Sequence, residues 1–518
     1  MKKGILDEIQ KARFLPLRLI GEGVLVGLVS GLVVMLYRLV LQQADHILSV
    51  VIAFTQGSVF KMAGWFVVLL IIALIVGRLL RIEPLISGSG IPQLEGEMAG
   101  KLDQTWWKVL PAKFLGGALC LTAGLSLGRE GPSIQLGAMG GKAISKLLSV
   151  GKSEEKYLLT CGASAGLAAA FHAPLAGVMF SLEEIHKNFS VSVLMSVMTA
   201  SITADYLSSR FLGNSPVFQF GIVQEIPMQY YGFILALGII LGFFGAFYNW
   251  STLKIQSLFQ NCKVLNQTTR LFIPFLLAGI LAYTAPVLLG SGGNVITLMT
   301  SGSLTLKVAV LLLIGKFIFS GISFGSGAPG GIFFPLLVLG GSAGGIFGMV
   351  CHSLFGIPAE LVNNFVLLAM AGFFTAIVRA PLTGILLIFE MTGSLSQLAS
   401  LSLVSISAFV VATLLRSEPI YESLLTRILK RQGQNVSESP REKVLKEYVV
   451  MHTSALDART IAETKWPKGA LIVAVRRGSE EILPTGSTIL HASDTLLVLL
   501  DSDCEADAHD ALQMLCSE

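Results

Sequence analysis

The sequence predicts an all-α polytopic membrane protein followed by a small cytoplasmic α/β domain. Three observations carry this. Apolar stretches recur through the first 430 residues, several long enough to span a bilayer. The two halves of that region share a set of lysine, glycine, proline and glutamate markers. After a polar linker the composition turns acidic and the pattern changes to short β-type runs.

Of 518 residues, 53% are apolar and 14% charged. The apolar stretches include Leu17–Tyr37, Phe66–Val76, Phe233–Phe247, Leu271–Leu289, Val308–Ile322 and Leu398–Leu415. The shorter ones suit broken or re-entrant segments. Met1–Arg18 is basic and amphipathic and lacks a small-residue cleavage site, so no cleavable signal peptide is expected.

The net charge of +4 divides unevenly. Residues 440–518 carry −5 and residues 1–439 carry +9. Lys2, Lys3, Arg13, Arg78, Arg81, Lys142, Lys152, Lys187, Lys430 and Arg431 flank membrane segments, which predicts a cytoplasmic location for both termini. The basic excess suits either topology alone or an anionic substrate, and nothing points to nucleic acid. The six cysteines form no C-x-x-C pair and the seven histidines lack metal-ligand spacing.

The repeat is specific. Lys113-Phe114 precedes Gly128 by 15 positions, and Lys316-Phe317 precedes Gly331 by the same 15. Gly128-Arg-Glu-Gly-Pro132 aligns with Gly331-Ile-Phe-Phe-Pro335. Gly137 and Gly340 follow at equal distance. Ala173-Pro174 matches Ala380-Pro381, and nine residues after each proline stands a glutamate, Glu183 or Glu390. Secondary transporters are often built this way, with interrupted segments meeting at the binding site. The remaining glycines suit close helix packing in lipid. An odd number of crossings per half would invert the second half.

Glu130 is the costly residue, since a charge within a membrane span is rare and usually functional. Its flanking glycines admit close backbone approach, and the following proline opens a helix whose N–H groups attract anions. Three further segments stand with it. Gly88-Ser89-Gly90-Ile91-Pro92 sets a hydroxyl at a helix start, Gly331–Pro335 offers free N–H groups, and Tyr421 brings a phenol after the last membrane segment. On these residues alone, Ser89 also reads as an N-cap, Tyr421 as an interfacial tyrosine and Glu130 as a partner of Arg129.

These four motifs, in this order, resemble the CLC family of chloride channels and chloride/proton antiporters, over roughly residues 15–430. The resemblance implies an inverted-repeat fold and a homodimer with one pore per subunit. It implies that Ser89, Tyr421 and the N–H groups of Ile332 and Phe333 bind a central anion, with Glu130 as the outer gate. It assigns proton transfer on the cytoplasmic side to Glu184, where channel members lack a titrating residue. Without the resemblance, Glu183-Glu184 reads as a pair capping a helix end beside Lys187. Glu183 is expected to line a water path, and Glu390, followed by Met391, to meet a structural partner. Lys113 adds positive potential near the pore or snorkels to an interface. Ser89 and Tyr421 imply chloride, and Phe334 is bulkier than in some relatives.

The expected domains are 1–430, membrane-embedded; 431–441, linker; and 442–518, cytoplasmic. Residues 445–517 resemble the TrkA-C domain of potassium-transport regulators, with strands at Ala470–Val475, Glu481–Leu483 and Thr495–Leu500 and a helical start at Asp457–Ile461. That resemblance implies dimerisation and, as one ligand, cyclic di-AMP; a purely dimer-stabilising domain is the alternative. The expectation is a plasma-membrane chloride/proton antiporter that requires no cofactor and performs no covalent catalysis. Its alternatives are a voltage- or proton-gated passive chloride channel, an exporter of another small anion, and a ligand sensor whose membrane part transports little.

Overall fold

The computed structural model describes residues 2–187, 189–213, 225–262, 265–393, 397–434, 443–452, 454–478, 480–501 and 505–517, with the side chains of 2–16, 192 and 505–507 left aside. Most of the linker and the N-terminal basic side chains therefore fall outside the described residues. The chain forms two compact units, Met1–Ile428 and Leu429–Glu518.

The first unit is helical. Its first half comprises α1 (Lys2–Thr55), α2 (Val59–Ile82), α3 (Ile91–Met98), α4 (Trp106–Thr122), α5 (Glu130–Leu147), α6 (Lys152–Phe171), α7 (Pro174–Phe180) and α8 (Val191–Leu212). The second half repeats that order with α9 (Tyr231–Asn261), α10 (Thr269–Thr284), α11 (Gly293–Thr300), α12 (Leu306–Gly325), α13 (Phe333–Phe355), α14 (Val362–Val378), α15 (Pro381–Thr392) and α16 (Leu398–Leu414). One further helix, α17 (Ile420–Arg431), follows.

Six helices among the described residues are long and apolar enough to cross a membrane. The others are shorter or less apolar, and several, α5 and α6 among them, are largely buried in protein, where irregular structure at membrane depth is tolerated. The expected apolar stretch Leu271–Leu289 is itself broken. Proline 286 cannot continue a helix, so α10 stops at Thr284 and a single 3₁₀ turn, Pro286–Leu288, follows. Its counterpart in the first half is Pro84–Ile86.

Small residues let the central helices touch. A Cβ added at Gly141 of α5 would overlap the carbonyl of Leu158 on α6, and one at Gly344 of α13 would overlap that of Phe365 on α14. The paired glycines thus hold equivalent contacts in the two halves.

The second unit is an antiparallel sheet of β1 (Lys443–Val449), β2 (Ala470–Arg477), β3 (Glu480–Ile482) and β4 (Thr495–Asp501), in the order β1-β4-β2-β3, with α18 (Glu505–Cys516) after it. Val475, Leu496, Val498, Leu500 and Leu512 form its core. The expected helix at Asp457–Ile461 is instead one 3₁₀ turn, Ile461–Glu463, closed by a capping box between Thr460 and Glu463.

Candidate anion and proton site

The halves meet through their glycine loops. Gly128 N–H donates to the Gly331 carbonyl at 2.7 Å, and Gly331 N–H returns the bond to Gly128 at 2.7 Å. Gly330 N–H donates to the Gly88 carbonyl at 3.0 Å. Helices α5 and α13 both start from this knot, so their unbonded first N–H groups converge there.

Glu130 is fully buried in the knot. Its carboxylate faces the N–H groups of Phe334, Arg129 and Glu130 itself, though none is aligned as a full hydrogen bond. Arg129 Nε lies 3.6 Å from Oε1, beyond hydrogen-bond length, and its side chain is 22% exposed. The carboxylate therefore occupies a cradle of backbone donors, with the guanidinium only at its edge. The ring of Phe333 is held by Phe171, Phe180 and Phe374, at centroid distances of 5.8, 6.0 and 4.8 Å.

Ser89 stands against this knot. Gly88 and Gly90 adopt positive φ of 65° and 95°, which turns the loop sharply. A Cβ at Gly131 would overlap the Ser89 hydroxyl. Gly90, not Ser89, is the N-cap of α3 and makes no side-chain cap bond, so the hydroxyl is not spent on capping. Ser89 Oγ and Tyr421 Oη are both buried without a protein partner. Tyr421 lies in the first turn of α17, within electrostatic reach of Glu130, Glu184 and Glu95. Buried hydroxyls without partners are costly, and an anion between them would accept from both.

Lys113 is fully buried, so it does not snorkel. Its Nζ donates to the carbonyls of Ile86 at 2.8 Å and Gly88 at 2.6 Å, pinning the Ser89 loop. Lys316 pins the matching loop through Leu288 at 2.9 Å and Gly290 at 2.7 Å. Gly290-Ser291-Gly292 is thus the second copy of Gly88-Ser89-Gly90, a match readable in the sequence but overlooked there. Gln135, whose Nε2 donates to Leu85 O at 3.0 Å and Gln104 Oε1 at 2.6 Å, buttresses the first loop only.

Glu184 lies in a π-helical turn, Ser181–His186, and is 5% exposed. Glu95 on α3, a residue not anticipated from sequence, lies within electrostatic reach of its carboxyl. Lys187 pairs with Glu422 beside them. Glu183 is committed elsewhere. It accepts from Leu382 N at 3.3 Å, Thr383 N at 2.9 Å and Thr383 Oγ1 at 2.8 Å, capping α15. Glu390 reciprocates, accepting from Leu175 N at 3.0 Å and Ala176 N at 2.7 Å at the start of α7. Each half's glutamate caps a helix of the other half, so both oxygens of Glu183 serve a structural contact rather than a water path.

A family profile described as voltage gated chloride channel matches residues 68–413. The chain belongs to this CLC family. A TrkA-C domain profile matches residues 445–512. The CLC chain is 34% identical over 454 residues to the H(+)/Cl(-) exchange transporter ClcA of Vibrio cholerae serotype O1, covering 85% of this chain and 96% of that one. It is likewise 34% identical to ClcA of Klebsiella pneumoniae, covering 77% and 85%. Among solved structures, a slow cyanobacterial Cl-/H+ antiporter superposes with a TM-score of 0.76 at 29% identity, over 80% of this chain and 99% of that one. A eukaryotic CLC transporter shares the fold at a TM-score of 0.67 and 21% identity, over 79% and 74% of the two chains. The inverted-repeat CLC fold with an appended α/β domain is therefore the architecture of this chain, and it is a membrane-embedded member of a transporter family.

Proposed function

We propose that this protein exchanges chloride for protons across the plasma membrane, as a homodimer with both termini in the cytoplasm. The observation that carries the reading is the Glu130 carboxylate lodged among the converging N–H groups of α5 and α13. A carboxylate and a chloride compete for such a cradle, and two ligands competing for one site are thermodynamically linked. Protonation neutralises Glu130 and frees the cradle for chloride. The anion then sits between Ser89 Oγ, Tyr421 Oη and the N–H groups of Ile332 and Phe333. All of these are partial charges, so the anion is bound and still released. Lys113 acts by holding the Ser89 loop.

Glu184 serves as the proton donor from the cytoplasmic side, and its presence favours exchange over a passive channel. Glu183 holds the two halves together. The exchange transporters named among the relatives support the same reading. The basic flanks of the membrane segments support the orientation. In the tail, the TrkA-C match supports ligand sensing, with cyclic di-AMP as the ligand to test first.

Purified protein in liposomes decides the main reading. An imposed chloride gradient should drive protons uphill, and the reversal potential should depend on both gradients. A reversal potential blind to pH would mean a passive channel, and no chloride movement at all would leave the sensor alternative. For the tail, isothermal titration with cyclic di-AMP should give heat of binding; none would remove that ligand.

A further inference from the structure

Tyr421 is aimed by its backbone. The side chain is fully buried, and its hydroxyl has no hydrogen-bond partner among the described residues. No side-chain bond therefore fixes the phenol, and its place depends on where α17 starts. Just upstream of that start, two side chains from other helices tie the chain down.

Arg379 is one tie. It follows α14 in the left-handed region, at φ 73°, and its guanidinium reaches in two directions. Nη1 donates to the end of α16, to Phe409 O at 2.9 Å and Thr413 Oγ1 at 2.5 Å. Nη2 donates to Ser417 O at 2.8 Å, in the segment between α16 and α17. Asn249 of α9, which is buried, is the other tie. Its Nδ2 donates to Glu418 O at 3.0 Å and to Ser417 Oγ and Ile377 O at 3.3 Å. The carbonyls of Ser417 and Glu418 are thus each held from a different helix. The first turn of α17 then closes through Ser423 N–H, which donates to Pro419 O at 3.1 Å.

The repeat separates scaffold from addition. Arg379 stands before Ala380-Pro381 as His172 stands before Ala173-Pro174, and His172 is left-handed too, at φ 55°. His172 also reaches the last helix of its half, α8, bonding Asp205 at 3.2 Å and Ser209 at 3.1 Å. The bonds from Arg379 to α16 therefore belong to the duplicated frame. Its bond to Ser417 serves the segment leading into α17, the helix that follows the repeat.

We propose that Arg379 and Asn249 are positioning residues for the anion site, holding segment 417–418 so that the Tyr421 phenol stays where it donates to the anion. This rests on the reading of Tyr421 as an anion ligand given above. With the ties cut, the start of α17 withdraws and the anion loses one donor. Ser89 and the N–H groups of Ile332 and Phe333 remain. A guanidinium suits the place because its fork bonds two diverging groups at once, which a single ammonium does not.

The test is a double-mutant cycle on the full-length protein, read by isothermal titration of chloride in detergent. Tyr421→Phe removes the donor and should weaken chloride binding about tenfold, the worth of one hydrogen bond to a charged acceptor. Arg379→Met should weaken it by a similar factor. Added to Tyr421→Phe, the same change should shift affinity by about twofold or less, because no hydroxyl is left to misplace. A residue with only a structural role would weaken binding equally in both backgrounds, and that result overturns the proposal. So does wild-type affinity in either single variant. Should Arg379→Met not fold, Asn249→Leu runs the same cycle with the same expectation. Proton movement in liposomes is judged separately. A wild type that binds chloride but moves no protons defeats the exchange reading, while the cycle still judges the ties.

Discussion

Replacing Glu130 by glutamine keeps the size of the side chain in the cradle and removes its charge. The carboxylate faces three N–H groups, those of Phe334, Arg129 and Glu130. A hydrogen bond to a charged acceptor exceeds a neutral one by about 1 kcal/mol. Because these contacts are not fully aligned, we take roughly half of that for each N–H, or about 1.5 kcal/mol in all. The glutamine is then a weaker competitor, and chloride should bind about tenfold more tightly. Isothermal titration of chloride into the detergent-solubilised wild type and Glu130→Gln measures this. Liposome assays should show proton coupling lost in the variant while anion flux continues. Unchanged chloride affinity together with intact coupling would refute the idea that side chain and anion contest one cradle.

Three further outcomes follow from the same geometry. Lys113→Met strips a donor from two buried carbonyls, costing about 1–3 kcal/mol of stability, and should weaken chloride binding measured by titration. Lys316→Met should cost as much in a thermal melt but leave chloride affinity near the wild-type value, since its loop holds no part of the proposed site. Glu183→Gln, which touches three donors, should lower the melting temperature more than Glu390→Gln, which touches two. In the tail, burial pushes the Asp494 carboxyl up, but the Arg477 guanidinium and the His491 N–H outweigh it and hold its pKa below the ordinary value of 3.8. A depressed carboxyl stabilises the fold above that value and loses the contribution as pH falls through the folded one. With Arg477 40% exposed, Asp494→Asn should cost about 1 kcal/mol near neutral pH. Hydrogen exchange of the β4 amides should show this cost shrinking as pH falls below about 4 and vanishing once pH is below the depressed folded value.

Much of the site was legible because its parts announce themselves locally. Glu130 among glycines, the hydroxyl of Ser89 and the Gly–Pro helix starts are contiguous motifs, and the repeat placed two of them in correspondence. What escaped was set by partners far away in the chain. The nine-residue spacing from Pro174 to Glu183 and from Pro381 to Glu390 was visible, but its meaning lies about 200 residues off, at the helix start each glutamate caps. Glu95 was missed because nothing in its neighbours marks it, and only the fold brings it to Glu184. In the tail, β1 was not anticipated because Lys443, Lys446 and Glu447 make it look like a continuation of the polar linker. The expected helix at Asp457–Ile461 is cut to a single turn at Ile461–Glu463, because Trp466-Pro467 leaves no length for more.

The repeat also isolates what the function requires. Both halves have a pinning lysine, a Gly-Ser-Gly loop and a helix starting from the shared knot, so these features build a scaffold. The departures from symmetry are the informative residues. Where the first half has Glu130, the second has Phe333, whose ring fills an aromatic cluster instead. Ser89 is buried without a partner. Its counterpart Ser291 lines a cavity of about 420 Å³ beside Asp45. That carboxylate would repel an anion there, whereas the buried Ser89 hydroxyl is left free to donate to one. A duplicated frame supplied two candidate cradles, and the residues added to each decided that only one suits a halide. Restoring symmetry is therefore the severest perturbation of the reasoning. Glu130→Phe, which copies the second half into the first, should preserve the fold within the limits of a thermal melt and abolish proton coupling. Coupled transport surviving that change would mean that the gate lies elsewhere.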